Sequence, residues 1–169
     1  MELKKFTRLT MLLSLSVVLN IFESFIPLFN GFIPGLKLGL ANSIVLMVLY
    51  LFSFKDAIYI SILRVFMVGI LRIGLFSVTF CFSLGGAILS VISMALAKKY
   101  TKLSIIGVSI VGSIMHSIGQ ILVAIIILKT YNIIYYLPWL LIFSIPTGIF
   151  IGVISKELVK YFEKRLKLL

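Results

Sequence analysis

The groups in this 169-residue chain that could do chemistry stand in very apolar surroundings. They are Glu23, Asn42, Arg64, Arg72, His116 and Gln120. Lys37 joins them from the segment Pro34-Gly35-Leu36-Lys37-Leu38-Gly39-Leu40-Ala41-Asn42. An ionisable or amide group inside a bilayer is costly, and it faces a partner or a wet cavity. His116 and Gln120 are one helical turn apart and share a face. Ser16, Asn20 and Ser24 make a polar stripe beside Glu23. Such a set can hold a solute by hydrogen bonds and charge.

The same residues exclude other chemistry. Asp56 is the only aspartate, so paired aspartate-rich magnesium motifs are absent. No Gly-x-x-x-x-Gly-Lys-Ser/Thr loop occurs, so the chain has no ATP cycle of its own. His116 is the only histidine and Cys81 the only cysteine, which rules out a multi-histidine metal site, an intrachain disulfide and a thiolate cluster. A Ser/His/carboxylate triad has no third member near His116. Neither an enzyme, nor a metal, nor a cofactor is expected.

The elements that position these groups are membrane helices. The chain is 62% hydrophobic, against about 45–50% for a soluble globular domain, and its mean hydropathy is +1.24. Breaks at 27–37, 53–56, 72–74, 98–102 and 129–132 predict helices over 6–26, 38–53, 57–72, 75–97, 103–128 and 133–155, then a basic tail over 156–169. The expected fold is all-α: one integral membrane domain over 1–169, with six transmembrane helices. The Lys4, Lys5 and Arg8 region preceding Met11–Phe22 resembles a signal peptide, but no small-x-small cleavage site follows before Pro27, so the first helix is expected to be retained. Small residues recur every fourth position at Ser109, Ser113 and Ser117 and at Ser144, Gly148 and Gly152, a pattern that lets helices pack closely in lipid.

The formal charge is +11. Its basic residues lie in short tracts between apolar runs, so a membrane accounts for them better than a nucleic acid does. With the N-terminus inside, Lys4, Lys5, Arg8, Lys55, Lys98, Lys99, Lys102, Lys156, Lys160, Lys164, Arg165 and Lys167 fall inside. Only Lys37, Arg72 and Lys129 fall outside, with Arg64 within a helix. That asymmetry predicts six crossings with both termini cytoplasmic. At about 1.5 Å per residue, Arg64 and His116 fall near mid-depth. Asn42 is shallow from the outside, and Glu23, Lys37 and Arg72 lie near the outer lip. An outward-facing cavity follows. Counting Lys37, Arg64 and Arg72 against Glu23, its formal charge is +2. The N-terminal dipole of helix two adds to it, so an anionic, phosphate- or carboxylate-bearing solute is expected. The structural alternatives are a Glu23–Arg64 ion pair, a His116–Gln120 interhelical pair, a structural Asn42 amide, and snorkelling of Lys37 and Arg72.

Glu23-Ser24, the Pro34–Asn42 segment, Phe54-Lys55-Asp56-Ala57 with Ser61-Ile62-Leu63-Arg64, Ile105-Ile106-Gly107-Val108-Ser109 with His116-Ser117-Ile118-Gly119-Gln120, and Tyr135-Tyr136-Leu137-Pro138 occur in that order. Over nearly the whole chain they resemble the family named both Gx transporter and heptaprenyl diphosphate synthase component I. The transporter name implies similarity to substrate-binding S components of energy-coupling-factor uptake systems. Those are six-helix proteins that capture a small solute and depend on a transmembrane coupling protein and ATPase subunits. The synthase name implies a non-catalytic membrane subunit beside a soluble prenyltransferase in isoprenoid quinone synthesis. Both place the chain in contact with membrane lipid. One departure bears on docking: S components often carry Ala-x-x-x-Ala on helix one, whereas this chain has no alanine before Ala41, and Thr10-x-x-x-Ser14 is the nearest small pair. The leading expectation is solute capture, and the synthase subunit is the alternative.

Overall fold

A computed structural model describes residues 2–25 and 38–166. Within them are six α-helices: α1 (Glu2–Glu23), α2 (Leu40–Leu51), α3 (Phe54–Val68), α4 (Val78–Tyr100), α5 (Ile105–Leu128) and α6 (Leu137–Leu166). A π-helical turn, Gly69–Ile73, extends α3, and a 3-10 turn, Tyr131–Tyr136, precedes α6. The expected helix count holds. Four segments are long and apolar enough to cross a bilayer: Leu3–Glu23, Val78–Tyr100, Ile105–Leu128 and Tyr131–Lys164.

Several helix ends differ from expectation. Ser53 starts α3 at Phe54 rather than at 57, because its hydroxyl oxygen accepts the Asp56 backbone N–H at 3.2 Å. A polar N-cap satisfies one of the donors that a helix start leaves open. Gly74, at φ 82°, ends the π turn, and Ser77 caps α4 by accepting the Phe80 N–H at 3.2 Å. The basic tail is not separate: α6 runs on to Leu166. Ser155 and Val159 are buried there, and Leu158 and Phe162 pack on the core. An apolar face at helical spacing carries the helix through the lysines.

The 12-residue α2 is about 18 Å long, short of the roughly 30 Å of a bilayer core. It lies inside the bundle instead. Leu46, Met47 and Val48 are fully buried. Neighbouring helices brace its backbone. Ser16 of α1 donates to the Ala41 carbonyl at 3.3 Å, Ser155 of α6 to Ser43 O at 3.4 Å, and the Lys98 ammonium of α4 to Leu49 O at 2.8 Å. By contrast α1 turns Met11, Leu15, Val18 and Phe22 outward, a stripe suited to lipid, while Leu12, Ser16 and Glu23 are buried.

Glycines bring α4, α5 and α6 together. A Cβ on Gly119 would lie 2.7 Å from the Gly85 carbonyl oxygen, and one on Gly112 would lie 2.6 Å from Met94. Gly148 and Gly152 meet the Cα atoms of Ile110 and Ile106 at 2.8 and 2.7 Å by the same measure. These pairings make α5 antiparallel to both neighbours. The small residues at 148 and 152 therefore pack helices, as their spacing predicted.

Candidate functional site

The polar groups of the first three helices meet where α1 ends and α2 begins. Gly39 precedes α2 with φ 81°, a left-handed conformation that glycine adopts without strain. Its N–H donates to Glu23 Oε1, which ties the end of α1 to the start of α2. One turn on, Asn42 Oδ1 accepts from Arg64 Nη1 of α3 at 3.0 Å. Glu23 also interacts electrostatically with Arg64. Both are almost fully buried, Glu23 5% and Arg64 3% exposed. One acidic and one basic group thus compensate each other in a low-dielectric interior, where an isolated charge is expensive.

Arg64 is not saturated: its Nε–H has no hydrogen-bond partner among the described residues. Such a donor carries the cost of its desolvation until something accepts it.

The opposite wall comes from α4, α5 and α6. His116 and Gln120 share the α5 face that packs over Gly86 of α4. A Cβ at position 86 would meet Gln120 Cγ at 2.9 Å and His116 Cε1 at 3.0 Å. Glycine here leaves room for the two longer side chains. The hydroxyls of Ser117 and Ser144 join α5 to α6 at 2.7 Å, and Ser144 donates onward to Leu140 O at 2.6 Å. Pro146 interrupts the α6 backbone ladder between Ser144 and Thr147.

Between these walls is a cavity of about 70 Å³. Asn20, Glu23, Asn42 and Arg64 line one side of it, and Ser83, Ser113, His116, Ser117, Gln120 and Thr147 the other. It is small, well below the roughly 300–1,000 Å³ of pockets that enclose drug-sized ligands. Its lining is rich in both donors and acceptors.

Five residues singled out by the sequence, Glu23, Asn42, Arg64, His116 and Gln120, therefore share one cavity. Arg72 is elsewhere: it is exposed in the π turn, with its guanidinium carbon 5.6 Å from the Phe25 ring centroid. Lys37 and the preceding 34–36 lie outside the described residues. The charged groups among the described lining residues are Glu23 and Arg64, which sum to zero. The +2 charge on which an anionic solute was expected is not found in that lining. Sequence reasoning passed over Ser83 and Thr147 and read Ser113, Ser117 and Ser144 only as packing residues. Ser83 had a signal, since it stands three positions before Gly86 on the same face.

A bundle of six helices, four of crossing length, around a buried polar cavity is the architecture of a multi-pass membrane protein. The chain belongs to the family described as heptaprenyl diphosphate synthase component I, whose model matches residues 12–158. All the cavity-lining residues fall inside that stretch. No curated protein and no solved structure matches the chain.

Proposed function

We propose that this protein is a non-catalytic solute-capture component of a bacterial inner-membrane uptake system. In this reading both termini are cytoplasmic, and the cavity opens towards the outer side. The observation that carries the reading is Arg64: a buried guanidinium, held by Asn42, lines the cavity and keeps its Nε–H donor unused among the described residues. A ligand acceptor placed there would recover a charge-assisted hydrogen bond. Glu23 can accept further donors beyond the Gly39 N–H, since a carboxylate has about four lone-pair sites. The zero net charge of the described lining favours a small polar head with an acceptor for Arg64 and a donor for Glu23, over a simple anion. Transport would depend on coupling and ATPase subunits, because the chain has no nucleotide-binding loop.

The test is mass spectrometry of small molecules retained by gently purified protein, followed by binding of the identified compound. Arg64→Ala and Asn42→Ala are expected to abolish retention while the protein stays folded. Unchanged affinity in both variants would remove the site.

The family description favours a second reading. Being named component I of a heptaprenyl diphosphate synthase implies a further component, and the chain would then be its membrane subunit beside a soluble prenyltransferase. The polar cavity would be structural or hold a lipid head group. Co-purification separates the readings: stable association with a prenyltransferase, and none with transporter ATPases, supports the second.

A further inference from the structure

A second recess lies at the basic end of the bundle, away from the cavity. The end of α2, the turn into α3 and the last two turns of α4 border a groove of about 540 Å³. Its floor and walls are mostly apolar, including Leu49, Phe52, Ile92 and Leu96. Lys98 and Lys99 lie along its α4 side, next to Tyr100. From Ile92 to Tyr100 the groove follows α4 for about 12 Å, close to the roughly 15 Å of one leaflet's hydrocarbon layer.

The lysines are held in place. The Lys98 ammonium donates to Leu49 O at 2.8 Å and sits 4.6 Å from the Tyr50 ring centroid. Of its three N–H donors, two remain. Lys99 lies 5.1 Å from the ring centroid of Tyr100, itself mostly exposed. Aromatic side chains at this position suit the headgroup level of a bilayer. The groove thus pairs a hydrocarbon-lined trough with two cations at one end. A soluble anion would leave the apolar trough uncovered, and a zwitterionic lipid would bring a cation of its own beside the two lysines.

We propose that this groove binds one anionic phospholipid of the adjacent leaflet, its phosphate on Lys98 and Lys99 and one acyl chain along α4. The bound lipid would fix the α2–α3 turn against α4. This site is independent of the solute cavity, so either can fail without the other.

The experiment is native mass spectrometry of the full-length protein equilibrated in detergent with equal amounts of phosphatidylglycerol and phosphatidylcholine of matched chains. Phosphatidylglycerol is expected to be retained preferentially, by roughly fivefold for each lysine engaged. Lys99→Gln should lower that preference by about one such factor. Ala95→Phe, which fills the groove without touching charge, should reduce retention of both lipids. Lys102→Gln, at the same end but outside the groove, should change neither. Equal retention of the two lipids by the unmodified protein overturns the proposal. So does a Lys102→Gln effect as large as that of Lys99→Gln, since the attraction would then be generic. If added farnesyl diphosphate displaces phosphatidylglycerol at equal concentration, the site belongs to isoprenoid diphosphates and the phospholipid assignment fails. No response to Lys99→Gln or Ala95→Phe leaves the groove to a protein partner and likewise overturns it.

Discussion

Arg64 of α3 donates from Nη1 to Asn42 Oδ1 in the first turn of α2, at 3.0 Å. The two residues are 22 apart in sequence, and their bond links the first turn of α2 to α3 beside the cavity. Because Arg64 is buried, the amide also supplies a dipole that water would otherwise provide.

The first prediction concerns that bond alone. Asn42→Ala should lower stability by about 1.5–3 kcal/mol, the range for a hydrogen bond to a charged group. Arg64→Met should cost more than a lone broken bond, about 3–5 kcal/mol, since it also leaves the buried Glu23 carboxylate without its compensating charge. The double variant should then fall well short of the summed single effects, the mark of direct coupling. Thermal unfolding in detergent reads all three, and strict additivity would show that the pair is not coupled.

The second prediction separates the deep site from the surface. Arg64→Lys should lose at least about tenfold in binding of the retained solute, roughly 1.4 kcal/mol. A lysine keeps the charge but not the planar fork of donors. Arg72→Ala should leave that affinity within about twofold, a few tenths of a kcal/mol, because Arg72 is exposed beside Phe25 and does not line the cavity. Titration of the purified variants decides it. A large Arg72 effect with a small Arg64 effect would return recognition to the outer lip.

The contrast between those two arginines shows what the sequence could and could not disclose. Arg64 was legible because a charge in the middle of an apolar helix needs a reason. His116 and Gln120 were legible by their one-turn spacing. Arg72 was grouped with them by depth alone, and depth along a helix axis says nothing about azimuth. The π turn at Gly69–Ile73 alters the helical phase just before Arg72, and no local pattern announced it. The central place of α2 was hidden for a related reason: its length resembles a shortened span, and only the braces from Ser16, Ser155 and Lys98 show that it is enclosed. Serines 113, 117 and 144 were read from spacing as packing residues, yet the same small side chains that admit a neighbouring helix also line the cavity.

The third prediction isolates backbone conformation at the start of α2. Gly39→Ala should destabilise the protein by about 1–2 kcal/mol, the penalty for a side chain in the left-handed region. Space does not limit this site, since the nearest atom to a Cβ there is Asn42 Nδ2 at 3.5 Å. Gly39→Asn should therefore recover part of the loss, because asparagine tolerates positive φ better than alanine. If the two variants are equally unstable, strain is not the cause, and the Glu23 contact at this turn becomes the explanation to pursue.

The last prediction uses a glycine to move the cavity wall without deleting any of its polar groups. A Cβ at position 86 would press on Gln120 Cγ, the His116 carbonyl oxygen and His116 Cε1, all at about 3 Å. Two of those contacts are side-chain atoms that can give way, whereas at Gly119 the obstacles are the Gly85 carbonyl oxygen and the Gly86 Cα. The third contact at position 86 is the backbone His116 carbonyl oxygen, so Gly86→Ala should cost roughly 1–3 kcal/mol, as an overpacked core does, and Gly119→Ala, which meets backbone only, should cost more than Gly86→Ala. Binding should show the reverse order relative to stability. Gly86→Ala shifts His116 and Gln120 directly and should weaken solute retention severalfold while the protein stays folded. Thermal unfolding and retained-solute measurements on the same two preparations test this. A Gly86→Ala protein with full affinity would mean that His116 and Gln120 serve helix packing and take no part in recognition.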